Sequence, residues 1–193
     1  MGKSAFLLRP TYNSPAILTF TLVAFLVVVG NGMAGGHMTP AYFVVYPGFD
    51  FTSPACYVRL VSHVLGHKNW AHFAANFSII LLVGPILEEK YGSKSLLKMM
   101  LVTALTTGIL NAAFFSTGLL GASGLAFMMI LLASFTNHRE GEVPLTFVLV
   151  LLLYLSKEIL QAFFQDDISQ FAHIMGGVCG SLFGFLKGPK AGR

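Results

Sequence analysis

Charge is what this sequence has least of. Only 10% of its 193 residues are charged while 55% are hydrophobic, and mean hydropathy is +0.73. Soluble domains carry about a quarter charged residues, so this balance excludes an ordinary soluble domain and indicates an integral membrane protein. Cysteine is nearly absent. Cys56 and Cys179 stand far apart with no Cys-x-x-Cys pair, which excludes a disulfide framework or a zinc finger. Acidic residues number 8 against 12 basic ones, for a pI near 9.2. In a soluble protein that excess would raise the question of nucleic acid. Here loop charge accounts for it, and no nucleic-acid partner is expected. Also lacking is a small-residue cleavage site after the first apolar run, which follows Lys3 and Arg9. That run reads as a retained transmembrane helix and not a cleaved signal.

What is present is a series of apolar runs. A helix needs roughly 20 apolar residues to cross a bilayer, with shorter ones tolerated inside a bundle. Six spans are expected: Pro15 to Gly32, Trp70 to Leu87, Leu96 to Phe115, Ala122 to Thr136, Val143 to Phe164 and Ile168 to Leu186. The long first loop, Met33 to Asn69, carries Pro40, Pro47, Gly48 and Pro54 among Tyr42, Phe43, Tyr46, Phe49 and Phe51. Breakers interleaved with aromatics suit a segment packed in the membrane interface. No soluble segment approaches domain length, so residues 1–193 are expected to form one membrane domain.

Loop charge orients the bundle. With the N-terminus inside, the inner segments hold Lys3, Arg9, Lys90, Lys94, Lys98, Arg139, Lys187, Lys190 and Arg193, whereas the outer loops hold only Arg59 and Lys68. An N-in, C-in topology follows. The second, fourth and sixth spans then all start at the outer face. His72 and Asn76 fall in the first two turns of the second, Ser123 at the entrance of the fourth, and His173 about five residues into the sixth. At about 1.5 Å per residue, each lies within roughly 10 Å of its helix start.

That layer has a definite chemistry. A serine hydroxyl needs a neighbouring base, and imidazole is the usual one near neutral pH. His173 is the candidate base. It shares a helical face with Gly176, Gly177, Gly180 and Gly184, and such a stripe admits a close helix neighbour, with Gly124 offering a matching surface. Asp166 and Asp167 precede His173 by seven and six residues, about 10 Å along a helix and too far to orient the ring directly. A Ser–His dyad is therefore expected. His72 and Asn76, four apart on one face, can donate to the oxyanion of a tetrahedral intermediate together with the Ser123 backbone N–H. Phe127, one turn after Ser123, can pack on the His173 ring. The spacing of His63, His67 and His72 hints at a metal site, but no carboxylate or thiol accompanies them. Structural hydrogen bonding is the preferred reading, and no metal or cofactor is expected. Lys157 and Glu158 lie near the outer end of the fifth span, where snorkelling is available. They are given no catalytic role.

Over nearly its whole length the chain resembles the rhomboid intramembrane serine proteases. The matching stretches are Arg59 leading into His63-Val64-Leu65-Gly66-His67, then His72-Phe73-Ala74-Ala75-Asn76, Gly84 to Glu88 with Tyr91-Gly92-Ser93, Gly121-Ala122-Ser123-Gly124, and Ala172-His173-Ile174-Met175-Gly176. The likeness is to a minimal six-helix bacterial member, of the GlpG type, without an extra cytoplasmic domain. It implies an all-α six-helix rhomboid bundle, Ser123 as nucleophile, His173 as base, and His72 and Asn76 as oxyanion donors. It also implies a first loop embedded in the outer interface, with the fifth helix and the loop around Phe163 to Asp167 gating substrate entry. Two positions depart from the family pattern. Val58-Arg59 stands where a Trp-Arg pair is familiar, and Phe127 stands where some members have tyrosine.

The expected activity is cleavage of a peptide bond in or near a transmembrane segment of another membrane protein, through an acyl-enzyme. The expected partners are such substrates and the lipid bilayer. The expected location is a bacterial inner membrane, with the site opening outward. Alternatives are a catalytically silent binder of transmembrane clients and a small transporter or metal-handling bundle using the histidine cluster.

Overall fold

The computed structural model describes residues 10–135, 142–164 and 169–186, with side chains throughout except at 154–155, 157–164 and 169–170. Its elements are α1 (Pro15–Met33), α2 (Met38–Tyr42), α3 (Pro54–Ser62), a 3-10 turn (His63–Leu65), α4 (Trp70–Tyr91), α5 (Ser93–Phe114), α6 (Ser123–Ala133), α7 (Leu145–Phe164) and α8 (Ser169–Leu186). Among the described residues there is no strand, only an isolated bridge between Val45 and Leu119. The architecture is all-α.

Local chemistry sets the ends of these helices. Proline opens α1 and α3, where its missing N–H costs nothing. The Asn69 side chain accepts the His72 N–H at 2.9 Å and caps α4. Gly92, at φ +80°, turns α4 into α5 without the clash a Cβ would bring.

Helix α6 forms the centre. Met128, Met129, Leu131 and Leu132 are fully buried, and Leu125 and Ala126 nearly so. It packs chiefly against α8 and then α4. The outer surface is apolar instead: Leu82 is 73% exposed and Leu101 47%. Fully buried side chains within and exposed leucines without are the arrangement a bilayer solvates. Helices α1, α4 and α5 are long and apolar enough to cross one, as an integral membrane protein requires.

The fourth expected span comes out shorter than read. It was placed over Ala122 to Thr136, whereas α6 has 11 residues, about 16 Å of helix, which does not cross a core of roughly 30 Å alone. The left-handed turn at Gly121 (φ +109°) sets the start within one residue of that expected. The shortening is at the other end. There the Ser134 and Phe135 N–H groups turn to the carbonyls three residues back, at 3.2 and 3.1 Å, and close the helix after Ala133. Thr136, Lys157, Glu158 and the expected gating loop, Phe163 to Asp167, fall outside the described side chains.

Glu88 ties two helices together. It is 5% exposed, and its carboxylate accepts the backbone N–H of Ala16 at 2.9 Å and of Ile17 at 3.0 Å, with the Ser93 hydroxyl donating at 2.7 Å. A carboxylate from α4 thus satisfies the first turn of α1, whose own cap residue Ser14 makes no side-chain cap bond. Glu88→Ala orphans both buried donors. It should lower the unfolding free energy by about 2–4 kcal/mol, read by denaturation in detergent micelles.

Arg59 does comparable work in the first loop. Its Nε donates to the Ala41 carbonyl at 3.1 Å, helped by a terminal guanidinium N–H, and the guanidinium lies 5.4 Å from the Tyr46 ring centroid. Ser62 donates to the Tyr42 carbonyl at 2.7 Å. The arginine thus clamps α2 to α3 with valine, not tryptophan, before it.

Candidate active site

The α5–α6 connection arrives pinned to the first loop. Val45 and Leu119 exchange backbone hydrogen bonds of 3.0 and 2.9 Å, and the Gly121 N–H donates to the His63 carbonyl at 2.9 Å. The next N–H, of Ala122, donates to His67 Nε2 at 3.4 Å. Two successive donors of the turn are thereby spent on the first loop. Ser123 follows as the first residue of α6, buried at 8% exposure. Its N–H belongs to a first turn that has no acceptor within the helix.

Gly121 carries a requirement beyond its positive φ. A Cβ there would lie 2.6 Å from His72 Cε1, 2.9 Å from His72 Nε2 and 3.6 Å from Asn76 Nδ2. The His72 and Asn76 side chains therefore converge on the backbone just before the serine. His72 Nδ1 accepts the Lys68 N–H at 3.5 Å, which leaves the proton of the neutral ring on Nε2, the atom nearer Gly121. Asn76 Nδ2 is buried with no hydrogen-bond partner among the described residues. A buried, unspent donor is rare and calls for an explanation.

Across the bundle, α8 meets α6 backbone to backbone. A Cβ on Gly124 would lie 3.1 Å from the Ala172 carbonyl oxygen, and one on Gly176 would overlap the Gly124 carbonyl. Ser123 precedes Gly124 and His173 follows Ala172, so hydroxyl and imidazole are attached at neighbouring points of one helix contact. The Phe127 and His173 rings pack with centroids 4.3 Å apart and planes at 42°. The expected meeting of Gly124 with the glycine face of the last helix is thus present.

His63 and His67 support this site from the loop. Burial, the dominant cause for each, pushes both imidazoles down to about 4, so both are neutral at pH 7. His63 Nδ1 donates to the Arg59 carbonyl at 3.2 Å, and its Nε2 faces the Thr107 hydroxyl of α5 at 3.3 Å. Among the described residues no three His, Cys, Asp or Glu side chains are placed to hold a metal ion. Cys56 and Cys179 are free thiols. Local sequence carries no signal for Thr107, because its partner lies 44 residues away. Asp166 and Asp167 lie outside the described residues.

The chemistry this arrangement offers is acyl transfer: a buried hydroxyl at a helix N-terminus, an imidazole across a tight contact, and two side-chain donors beside the turn. Comparison with known proteins points the same way. A family model for the rhomboid domain matches residues 54–190. Rhomboid protease GlpG of Haemophilus influenzae is 25% identical over 148 residues, covering 75% of this chain and 77% of that protein. YdcA of Bacillus subtilis is 28% identical over 144 residues, covering 70% and 69%. The matched residues take in the helix that carries His72 and Asn76, the serine turn and the helix that carries His173, so the chain belongs to the rhomboid family.

Proposed function

We propose that this protein is an intramembrane serine protease, a single domain over residues 1–193 whose six spans run N-in, C-in in a bacterial inner membrane. The site faces outward, and the first loop lies in the outer interface. One observation carries the reading: His72 Nε2 and Asn76 Nδ2 converge on Gly121, two residues before a buried serine whose helix is in backbone contact with that of His173.

In the proposed reaction, His173 accepts the Ser123 proton as the oxygen attacks a peptide carbonyl carbon. The oxyanion is met by His72, Asn76 and the Ser123 N–H. His173 returns the proton to the departing amine, and water then hydrolyses the acyl-enzyme. Phe127, whose ring packs on the imidazole with centroids 4.3 Å apart, helps to position it. An intact helix shields its carbonyls, so the substrate must present a locally unwound stretch. Small residues at the cleaved position are what the family resemblance implies.

A fluorophosphonate probe tests this on purified protein in detergent. The adduct is expected on Ser123 and its formation should be lost in His173→Ala. A well-folded wild type that neither labels nor cleaves a transmembrane reporter would instead be a silent binder of transmembrane segments.

A further inference from the structure

His67 is a buried side chain whose hydrogen bonds connect the first loop to the serine turn itself. Its Nδ1 lies 3.2 Å from the Leu65 carbonyl oxygen, and its Nε2 lies 3.4 Å from the Ala122 N. A carbonyl only accepts and an amide N–H only donates, so both contacts are satisfied by a single state: the neutral ring with its proton on Nδ1. The ring is 1% exposed as a residue. It is enclosed by His72 at 5.1 Å between centroids, Phe73 at 5.5 Å and Phe77 at 5.6 Å, each edge-on. Ala122 is the residue immediately before Ser123. His72 is the side chain whose Cε1 and Nε2 lie closest to the position of a Cβ at Gly121.

We propose that His67 is a positioning residue for catalysis: as the Nδ1–H tautomer it holds the Ala122 N–H through Nε2 and braces the His72 ring, setting serine turn and oxyanion donor with one side chain. Neither protonation nor the other tautomer permits this, since each puts an N–H against the Ala122 N–H. The titratable group packed against it is His72 on α4. Lys68 acts on His72, whose Nδ1 accepts its N–H, and His63 holds Gly121 through its carbonyl. Burial keeps the ring uncharged at working pH. The consequence is that the first loop sets the geometry of the reacting layer through two adjacent N–H groups, Gly121 by backbone and Ala122 by side chain.

This proposal rests on Ser123 being the nucleophile, so Ser123→Ala is run alongside. His67→Leu keeps apolar volume and loses the acceptor; His67→Gln can place its amide oxygen where Nε2 was. His67→Leu should lower kcat for a transmembrane reporter about 100-fold with KM within about threefold of wild type, the size a displacement of about 1 Å produces. His67→Gln should recover to within about tenfold. Leu as active as wild type, or Gln as impaired as Leu, overturns the proposal while leaving the nucleophile intact. Activity surviving in Ser123→Ala overturns the reading beneath it. A second measurement needs no loss-of-function variant. Histidine 15N NMR of the wild type, with the His67 signal identified by its absence in His67→Gln, should show Nδ1 protonated and Nε2 bare at pH 7. An Nε2–H ring or an imidazolium there overturns it.

Discussion

Ser123→Ala should lower kcat/KM for cleavage of a transmembrane reporter about 10^4-fold or more, and His173→Ala should fall to the same floor. The double variant should fall no further, because nucleophile and base act as one unit and the second loss removes nothing that still functions. The oxyanion donors should behave differently. Asn76→Ala and His72→Ala each remove one donor from a set that also contains a backbone N–H, and each should cost about 10^2- to 10^3-fold in kcat. They should retain fluorophosphonate labelling, at a reduced rate. The two classes thus separate by depth of loss and by labelling. If Asn76→Ala left kcat unchanged with the fold intact, its buried unpartnered amide would need another explanation, and the oxyanion assignment would be withdrawn.

Sequence spacing already carried a good part of this arrangement. His72 and Asn76 are four apart, so a helix puts them on one face, and the glycines from Gly176 to Gly184 repeat at helical offsets that demand a close neighbour. Both features are local, and local periodicity is what a single chain displays. The contacts that proved invisible join distant residues: Glu88 with Ala16, 72 apart, and His67 with Ala122, 55 apart. Nothing in the string Leu87-Glu88-Glu89 distinguishes the carboxylate that caps α1 from its neighbour. The histidines of the first loop do hydrogen-bond, as a cluster without carboxylate or thiol suggests, but their reach to α5 and to the serine turn has no local signal. The length of α6 was overestimated for a related reason. An apolar run signals burial, and burial at the centre of a bundle looks the same in composition as burial in lipid.

Gly176→Ala should be among the most damaging single-methyl changes available to the chain. The atom a Cβ would meet is the Gly124 carbonyl oxygen, with the Gly124 carbonyl carbon 2.8 Å and its Cα 3.0 Å away. All three are backbone, so no side chain can swing aside, and relief requires moving α8 off α6. That separation would also carry His173 away from Ser123. Overpacking of this kind costs about 1–3 kcal/mol where neighbours can adjust, and about 3 kcal/mol or more is expected where they cannot. Activity should fall at least about 100-fold, as a 1 Å misplacement of a catalytic group does. Gly180→Ala should be similar, since its Cβ would meet the Met128 backbone. Gly184→Ala meets the Phe135 ring, a side chain and not backbone but one fully buried against Phe147 and Phe185. It should therefore cost stability by less than Gly176→Ala and, three turns from His173, keep more of the cleavage. Gly32→Ala, with nothing within 4 Å of the added carbon, should be neutral or stabilise α1 by up to about 1 kcal/mol through helix propensity. The gradient from Gly32 through Gly184 to Gly176, followed by unfolding in detergent and by reporter cleavage, separates a helix that merely contains glycine from a contact that needs it. Equal losses at all three positions would mean that the α6–α8 backbone contact does not control the distance between serine and histidine.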